Sequence, residues 1–311
     1  MKISIFGGAG TVGSCTAFTI ACQGLANELV LLDVNKDLLN NHVLDIRTAV
    51  STRSRITIHA GQNEDISGTN IAIIAAGMNF PASTPADERM SHNLPVILET
   101  GKALEKYCPS AIVITATNPV DLFNYALYVA TRIDAGKLIG YNLNDSIRFR
   151  IAAASVLRID SYLVDGYVFG EHPTGQVMLF SSLKAGGKAV DVDTDFRNRV
   201  VKQIQNYLKH LGASLARTAG WTTAAGLADM VRAIEENSNR DLPCSVIVNG
   251  EYGYKSISIG LSAVLGQQGI KRISKLEILP GERNKLDQAA ASLEKGANRI
   301  RQAIGPEHCT R

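Results

Sequence analysis

Short β-branched runs alternate with helical periodicity through the first half of the chain. The runs KISIF, ELVLLD, NIAIIAA, SAIVITA and KLIG are followed in turn by apolar residues spaced three or four apart near 12–23, 36–49, 90–106, 120–130 and 146–157. Strands that alternate with helices predict parallel pairing through crossover connections. Right-handed crossovers then wind such strands into a doubly wound sheet, an α/β class. Past about Arg158 the pattern changes. A strand-like SYLVDGYVF leads to a turn-rich stretch around Gly186 and Gly187, and then to a long helix marked by Val200, Val201, Ile204, Tyr207, Leu208 and Leu211. PCSVIVN and SISIGLSAVLG read as further strands, and an amphipathic helix runs from about 282 to 304. The expected organisation is a doubly wound parallel domain over 1–144 and a C-terminal α+β domain over 145–311, with no repeat and no low-complexity linker.

Composition agrees with that division and narrows the classes. At 311 residues, 45% hydrophobic and 20% charged, the chain is neither disordered nor fibrous, and about 150 residues per domain gives two. Apolar runs such as 71–76 stay far below the ~18 residues of a membrane span. MKISIFGGAG lacks the apolar core and cleavage site of a secretory signal, so the expected location is the cytoplasm. Five scattered cysteines, none in C-x-x-C spacing, read as reduced and mostly buried thiols. The 32 basic and 29 acidic residues are interspersed, which predicts a solvated surface without nucleic-acid or membrane partners. No His/Cys/carboxylate cluster has metal-ligand spacing, so no metal is expected.

Gly8-Ala9-Gly10-Thr11-Val12-Gly13 fits G-x-G-x-x-G, and its place between the strand KISIF and a helix gives it weight. On this reading Gly8 permits a tight turn, Gly10 lets backbone approach a pyrophosphate, and Gly13 allows close helix–strand packing. The N–H groups of Thr11 and Val12 then open a helix whose positive end favours phosphate. Asp33 ends the next strand twenty residues after Gly13, where a carboxylate binds ribose hydroxyls and repels a 2′-phosphate. The expected cofactor of this Rossmann domain is NAD, with nearby Lys36 leaving a small opening for NADP. Ala76-Gly77 and Thr117-Asn118-Pro119 close two further strands at the same edge, Pro119 reading as the first residue of a helix. Small residues there let a nicotinamide lie on backbone, and the Asn118 amide has hydrogen bonds to give to its ribose or to the substrate.

Asp145 and Arg148, three apart, share a helix face, as many surface pairs do. His172, in Phe169-Gly170-Glu171-His172, follows an apolar run at a glycine-marked strand end. A histidine held by a carboxylate keeps one tautomer and a stabilised charged form, which suits a proton shuttle near neutral pH.

Taken together, GGAGTVG, LLDVN, AAG, TNPVD, DSIRFR, GEH and the terminal strand pair with its helix resemble the L-lactate/malate dehydrogenase family over nearly the whole length. The pattern looks closest to its malate-dehydrogenase-like branch. The resemblance implies that His172 is the general acid/base, that Asp145 orients it, that Arg148 grips the substrate carboxylate, and that Asn118 and Asn93 line the cofactor site. It also implies a homodimer or homotetramer. An Arg suits the carboxylate because its guanidinium fork matches the two oxygens.

The segment 78–90 departs from the family pattern. Counted back from Asn93, Ala86 stands where the family carries a carbonyl-polarising Arg, and Phe80 where it carries the Gln or Arg that selects substrate. Ala219 replaces a pocket Thr, and Pro173 the Gly that follows the histidine. Pro81, Ala82, Ser83 and Pro85 add no charge, so an apolar substrate side chain is expected, with Phe80 either selecting it or serving as an apolar lid anchor. Arg89, one turn beyond Ala86, is the candidate substitute donor. The expected activity is hydride transfer between NAD and C2 of a small 2-hydroxy or 2-oxo acid. Two alternatives stand beside it: a conventional malate or lactate enzyme with a rearranged loop, and a cofactor-binding protein without turnover.

Overall fold

The computed structural model describes residues 1–78, 80, 84–213, 219–305 and 309–310. The first half contains β1 (Lys2–Phe6), α1 (Thr11–Cys22), β2 (Glu28–Leu32), α2 (Lys36–Val50), β3 (Thr57–Ala60), β4 (Ile71–Ile74), α3 (Ala86–Tyr107), β5 (Ile112–Thr115), α4 (Val120–Ala130) and β6 (Leu138–Tyr141). The second contains α5 (Leu143–Leu157), β7 (Val164–Glu171), β8 (Gly175–Ala185), β9 (Lys188–Ala189), α6 (Thr194–Ala213), α7 (Gly220–Glu235), β10 (Asp241–Asn249), β11 (Lys255–Gly266), β12 (Gly269–Ser274) and α8 (Pro280–Ile304).

Strands β3-β2-β1-β4-β5-β6 are parallel and follow the doubly wound order. Their apolar runs are buried on both faces, as a parallel sheet covered by helices requires. The order reverses between β1 and β4, and the C-terminal ends of β1, β2, β4 and β5 therefore converge on one crevice.

The sheet does not stop at β6. Strand β10 pairs antiparallel with it, through Cys244 with Tyr141, Ser245 with Gly140 and Val246 with Ile139. Then β11, β7, β8 and β9 continue the sheet, with β12 on β11. One apolar core runs through both halves, from Ile3 and Ile73 to Val246, Ile259 and Leu293. A second, around Phe149, Phe180, Leu183 and Val200, lies wholly within the C-terminal part.

Several local expectations change. The sequence pattern missed β3, the full length of β8, β12 and α7. Helix α6 buries Val200 and Ile204 but leaves Tyr207 45% and Leu208 39% exposed, so its apolar stripe is narrower than the periodicity suggested. Pro119 is the residue before α4 rather than its first member. The five cysteines are free, but only Cys108 and Cys244 are buried. Among the described residues, no helix is long and apolar enough to cross a membrane.

Candidate active site

At the end of β1 the turn falls on Gly7, at φ +86°, rather than on Gly8. A Cβ on Gly7 would lie 2.6 Å from the backbone of Ala75, and one on Gly13 only 2.1 Å from the Gly7 carbonyl oxygen. Gly8 instead packs flat on Leu31 and Leu39. Helix α1 thus starts tight against the strand end, with Gly10 as its cap residue and no side-chain cap over its first N–H groups. The N–H groups of Thr11 and Val12 follow Gly10, which lines a cavity of about 980 Å³ together with Gly7, Asp33, Lys36, Ala76 and Gly77. The cradle that a Cβ would fill, beside a bare helix N-terminus, fits the pyrophosphate of a dinucleotide.

Asp33 is fixed by two backbone hydrogen bonds. Its Oδ2 accepts the Ala9 N–H at 3.0 Å and its Oδ1 the Asn35 N–H at 3.0 Å, leaving further lone pairs toward the cavity. Thr117 donates to the Ala76 carbonyl at 2.7 Å, tying the ends of β4 and β5 together. Asn93 accepts the Met78 N–H at 2.7 Å and donates to the Met78 carbonyl at 3.3 Å, so its amide is already engaged in fixing the strand end. Asn118 is exposed between β5 and α4 and makes no side-chain hydrogen bond among the described residues.

In the C-terminal half, α5 and the end of β7 bring Asp145, Arg148 and His172 together. The Asp145 carboxylate is buried and serves both partners. Its Oδ2 lies 2.6 Å from His172 Nδ1, and its Oδ1 3.2 Å from Arg148 Nη1. The histidine's Nε2 is thereby left as the working edge. Burial pulls the imidazole pKa down, but the charge and hydrogen bond of Asp145, with the charge of Asp121, outweigh it and hold the pKa above its ordinary value; Arg148 opposes them. The Nε of Arg148 is buried without a partner among the described residues, a donor awaiting an acceptor. Such a buried donor beside a fixed imidazole matches a substrate that carries a carboxylate next to a carbonyl.

Two family models divide the chain between them: residues 1–140 match the NAD binding domain of lactate/malate dehydrogenase, and residues 143–303 its alpha/beta C-terminal domain. The chain belongs to the lactate/malate dehydrogenase family. It is an NAD-dependent 2-hydroxy-acid dehydrogenase by that membership. It is 30% identical over 302 residues to the malate dehydrogenase of Natronomonas pharaonis, covering 96% of this chain and 99% of that one. It is 31% identical over 294 residues to the L-lactate dehydrogenase of a Thermoanaerobacter species, covering 89% and 92%. A crystal structure of Cryptosporidium parvum lactate dehydrogenase complexed with lactic acid and nicotinamide adenine dinucleotide superposes with a TM-score of 0.90 at 25% identity, covering 96% and 97%.

The segment leading into α3 carries the positions expected to depart from the family pattern. Phe80 is half-buried and stacks on His92 of α3, ring centroids 5.6 Å apart. Pro81, Ala82 and Ser83 lie outside the described residues. Ala86 opens α3. Arg89 is half-buried, its Nε covered and without a partner, and it forms no ion pair among the described residues. No hydrogen bond or ion pair joins it to Asp145, Arg148 or His172. Ala219 precedes α7, whose Gly220 fits closely against Thr11 and Cys15 of α1.

Two neighbours of the cluster escaped the sequence reading. The Tyr207 ring lies 5.8 Å from the Arg148 guanidinium carbon, a contact that its place in the periodicity of α6 did not signal. Asp121, in the first turn of α4, accepts the His172 backbone N–H at 2.8 Å. A signal for it existed in the sequence: an acid inside VDLFNYALYVA, a helix otherwise apolar on nearly every side.

Proposed function

We propose that the chain interconverts a 2-oxo acid and the corresponding 2-hydroxy acid, with His172 as proton donor and acceptor and an apolar group as the substrate side chain. The observation that carries this reading is the single Asp145 carboxylate bridging His172 and Arg148. Arg148 binds the substrate carboxylate, which fixes the neighbouring C2 carbonyl toward His172. In reduction the imidazolium gives its Nε2 proton to the carbonyl oxygen as C2 receives a hydride; in oxidation the neutral imidazole takes the hydroxyl proton back. NAD, when bound, supplies hydride exchange at its nicotinamide C4. Asp145 holds Nδ1 and stabilises the charged ring, and Asn118 donates to the nicotinamide ribose or the substrate. Residues 1–144 act as the cofactor unit and 145–311 as the acid/base unit.

Similarity to malate and lactate enzymes at nearly equal identity leaves the substrate side chain open. Phe80, Ala219 and the uncharged residues around Phe80 favour an apolar one, because a buried unpaired carboxylate is strongly disfavoured. Arg89 is the candidate to polarise the carbonyl in place of the Arg absent at 86. NADH oxidation with oxaloacetate, pyruvate, branched and aromatic 2-oxo acids tests the preference: faster turnover of oxaloacetate would reverse it. Arg89→Ala separates the two roles of that residue. A loss of about 10²-fold in kcat on every substrate supports polarisation, and a loss confined to dicarboxylates supports side-chain reading.

We also infer a homodimer or homotetramer in the cytoplasm. Trp221, 71% exposed at the start of α7, and Phe18, 40% exposed on the α1 helix that packs against it, favour a covered apolar surface there. Free cysteines suit a reducing compartment. A monomer in sedimentation at micromolar concentration would refute the association.

A further inference from the structure

A buried polar chain reaches the backbone of His172, whose ring is held by Asp145. Asp121, 1% exposed, accepts the His172 N–H through Oδ2 at 2.8 Å and the Ser245 hydroxyl through Oδ1 at 2.5 Å. The Ser245 hydroxyl is 2.8 Å from that of Ser258, which in turn accepts from Asn124 Nδ2 at 3.0 Å. The chain thus ties α4, which follows Asn118 at the cofactor crevice, to the end of β7 and to β10 and β11.

Taking a carboxylate out of water costs several kcal/mol unless its bonds and neighbours compensate. A neutral asparagine could make both hydrogen bonds, accepting from His172 and donating to Ser245. What the aspartate adds is a negative charge that the imidazole feels. The other charges facing this point are Asp145 and Arg148 on α5 and Glu171 beside the histidine. Strands β10 and β11 contribute the Ser245 and Ser258 hydroxyls, and the Arg301 guanidinium of α8 lies over Tyr125 of α4. We propose that Asp121 is a positioning residue that seats the His172 backbone and stabilises its imidazolium, with Ser245 holding the aspartate in its charged form. Burial pushes the Asp121 carboxyl up to about 7, with Glu171 adding to it and the Ser245 hydroxyl, the His172 N–H and the imidazolium charge opposing. The two charges favour each other, so the charged aspartate persists best when His172 carries its proton.

The inference rests on His172 as the proton shuttle, and its test is read independently of turnover. The His172 ring is titrated by NMR in the full chain, its resonance assigned by loss in His172→Asn. Asp121→Asn, which keeps the side-chain shape, should lower the imidazole pKa by about half a unit or more. Ser245→Ala should move it the same way, and the double variant should move it no further than Asp121→Asn alone. The pH above which kcat/KM for 2-oxo acid reduction declines should fall in parallel, with NADH affinity within about twofold of the parent. A merely structural aspartate would shift none of these in the isosteric variant. Titration curves of Asp121→Asn and Ser245→Ala that overlay the parent's would overturn the inference. Retained activity in His172→Asn alongside shifted titrations would instead overturn the shuttle reading and leave the coupling standing.

Discussion

The crevice at the ends of β1, β2 and β4 and the cluster of Asp145, Arg148 and His172 are made of different material. In the crevice the decisive groups are backbone: Gly7 in its left-handed turn, Gly13 pressed on the Gly7 carbonyl, and the uncapped N–H groups of α1. In the cluster they are side chains drawn from separate elements, with Asp145 and Arg148 on α5, His172 after β7, Asp121 on α4 and Ser245 on β10. A backbone site is damaged when atoms are added to it, because a new Cβ has nowhere to go. A side-chain site is damaged when atoms are removed. The two regions should therefore answer oppositely to the same kinds of substitution.

The largest effect belongs to His172. Replacement by Asn should lower kcat by about 10²- to 10⁴-fold while leaving NADH binding, followed by fluorescence titration, near the parent value. The pH dependence gives a second reading. Reduction uses the imidazolium, so kcat/KM for the 2-oxo acid should be level at low pH and decline as pH rises through a pKa above the ordinary 6.5 of histidine. Oxidation uses the neutral ring and should show the mirror profile. A reduction profile that declines well below pH 6.5 would mean that Asp145 does not support the charged ring.

Arg148→Lys comes next. Losing the planar fork removes a charge-assisted contact of about 1.5–3 kcal/mol, so KM for the 2-oxo acid should rise roughly 10- to 100-fold. An unchanged KM would take Arg148 out of the carboxylate site. In the crevice the sharper probe adds a methyl group. Gly13→Ala places a Cβ 2.1 Å from a backbone oxygen, and overpacking of this kind costs about 1–3 kcal/mol. NADH affinity should fall about tenfold or more because α1 must move off the strand end, with KM for the 2-oxo acid little changed at saturating NADH. Equal loss in both constants would mean the two regions are not separable.

The same contrast explains what could be read from the sequence. Backbone sites leave local signatures: G-x-G-x-x-G and an acid twenty residues on are contiguous enough to locate the crevice, although which glycine takes the left-handed turn depends on how the β4 end approaches Gly7. The pairing of Asp145 with Arg148 was legible as a helical spacing. The approach of His172, 27 residues away, had no local sign, and only the family pattern linked them. Asp121 and Ser245 are separated by 124 residues and meet because β10 pairs antiparallel with β6, a pairing that joins what looked like two domains into one sheet. Short edge strands such as β9, and helix α7 with its run of small residues, carry too weak a periodicity to be found without their neighbours.

Asp33 supplies the smallest effect and tests the one place where the crevice depends on a side chain. Both its oxygens already accept backbone N–H groups, from Ala9 and Asn35, so the carboxylate is fixed at the end of β2 with lone pairs left for ribose hydroxyls. A 2′-phosphate there would meet a like charge. Because Asp33 is only half-buried and Lys36 lines the same cavity, water and a cation both weaken the repulsion. At 4 Å in a solvent-like dielectric it amounts to about 1 kcal/mol, or roughly fivefold. The parent should prefer NAD over NADP in kcat/KM, and Asp33→Asn, which removes the charge and keeps the shape, should narrow that preference by about that factor. Asp33→Ser should narrow it further, because the shorter hydroxyl also loses reach to the ribose and weakens NAD itself. Parent enzyme that uses both cofactors equally, or a ratio unmoved in either variant, would mean that Asp33 serves only to tie the glycine turn to β2, and that discrimination rests on backbone like the rest of the crevice.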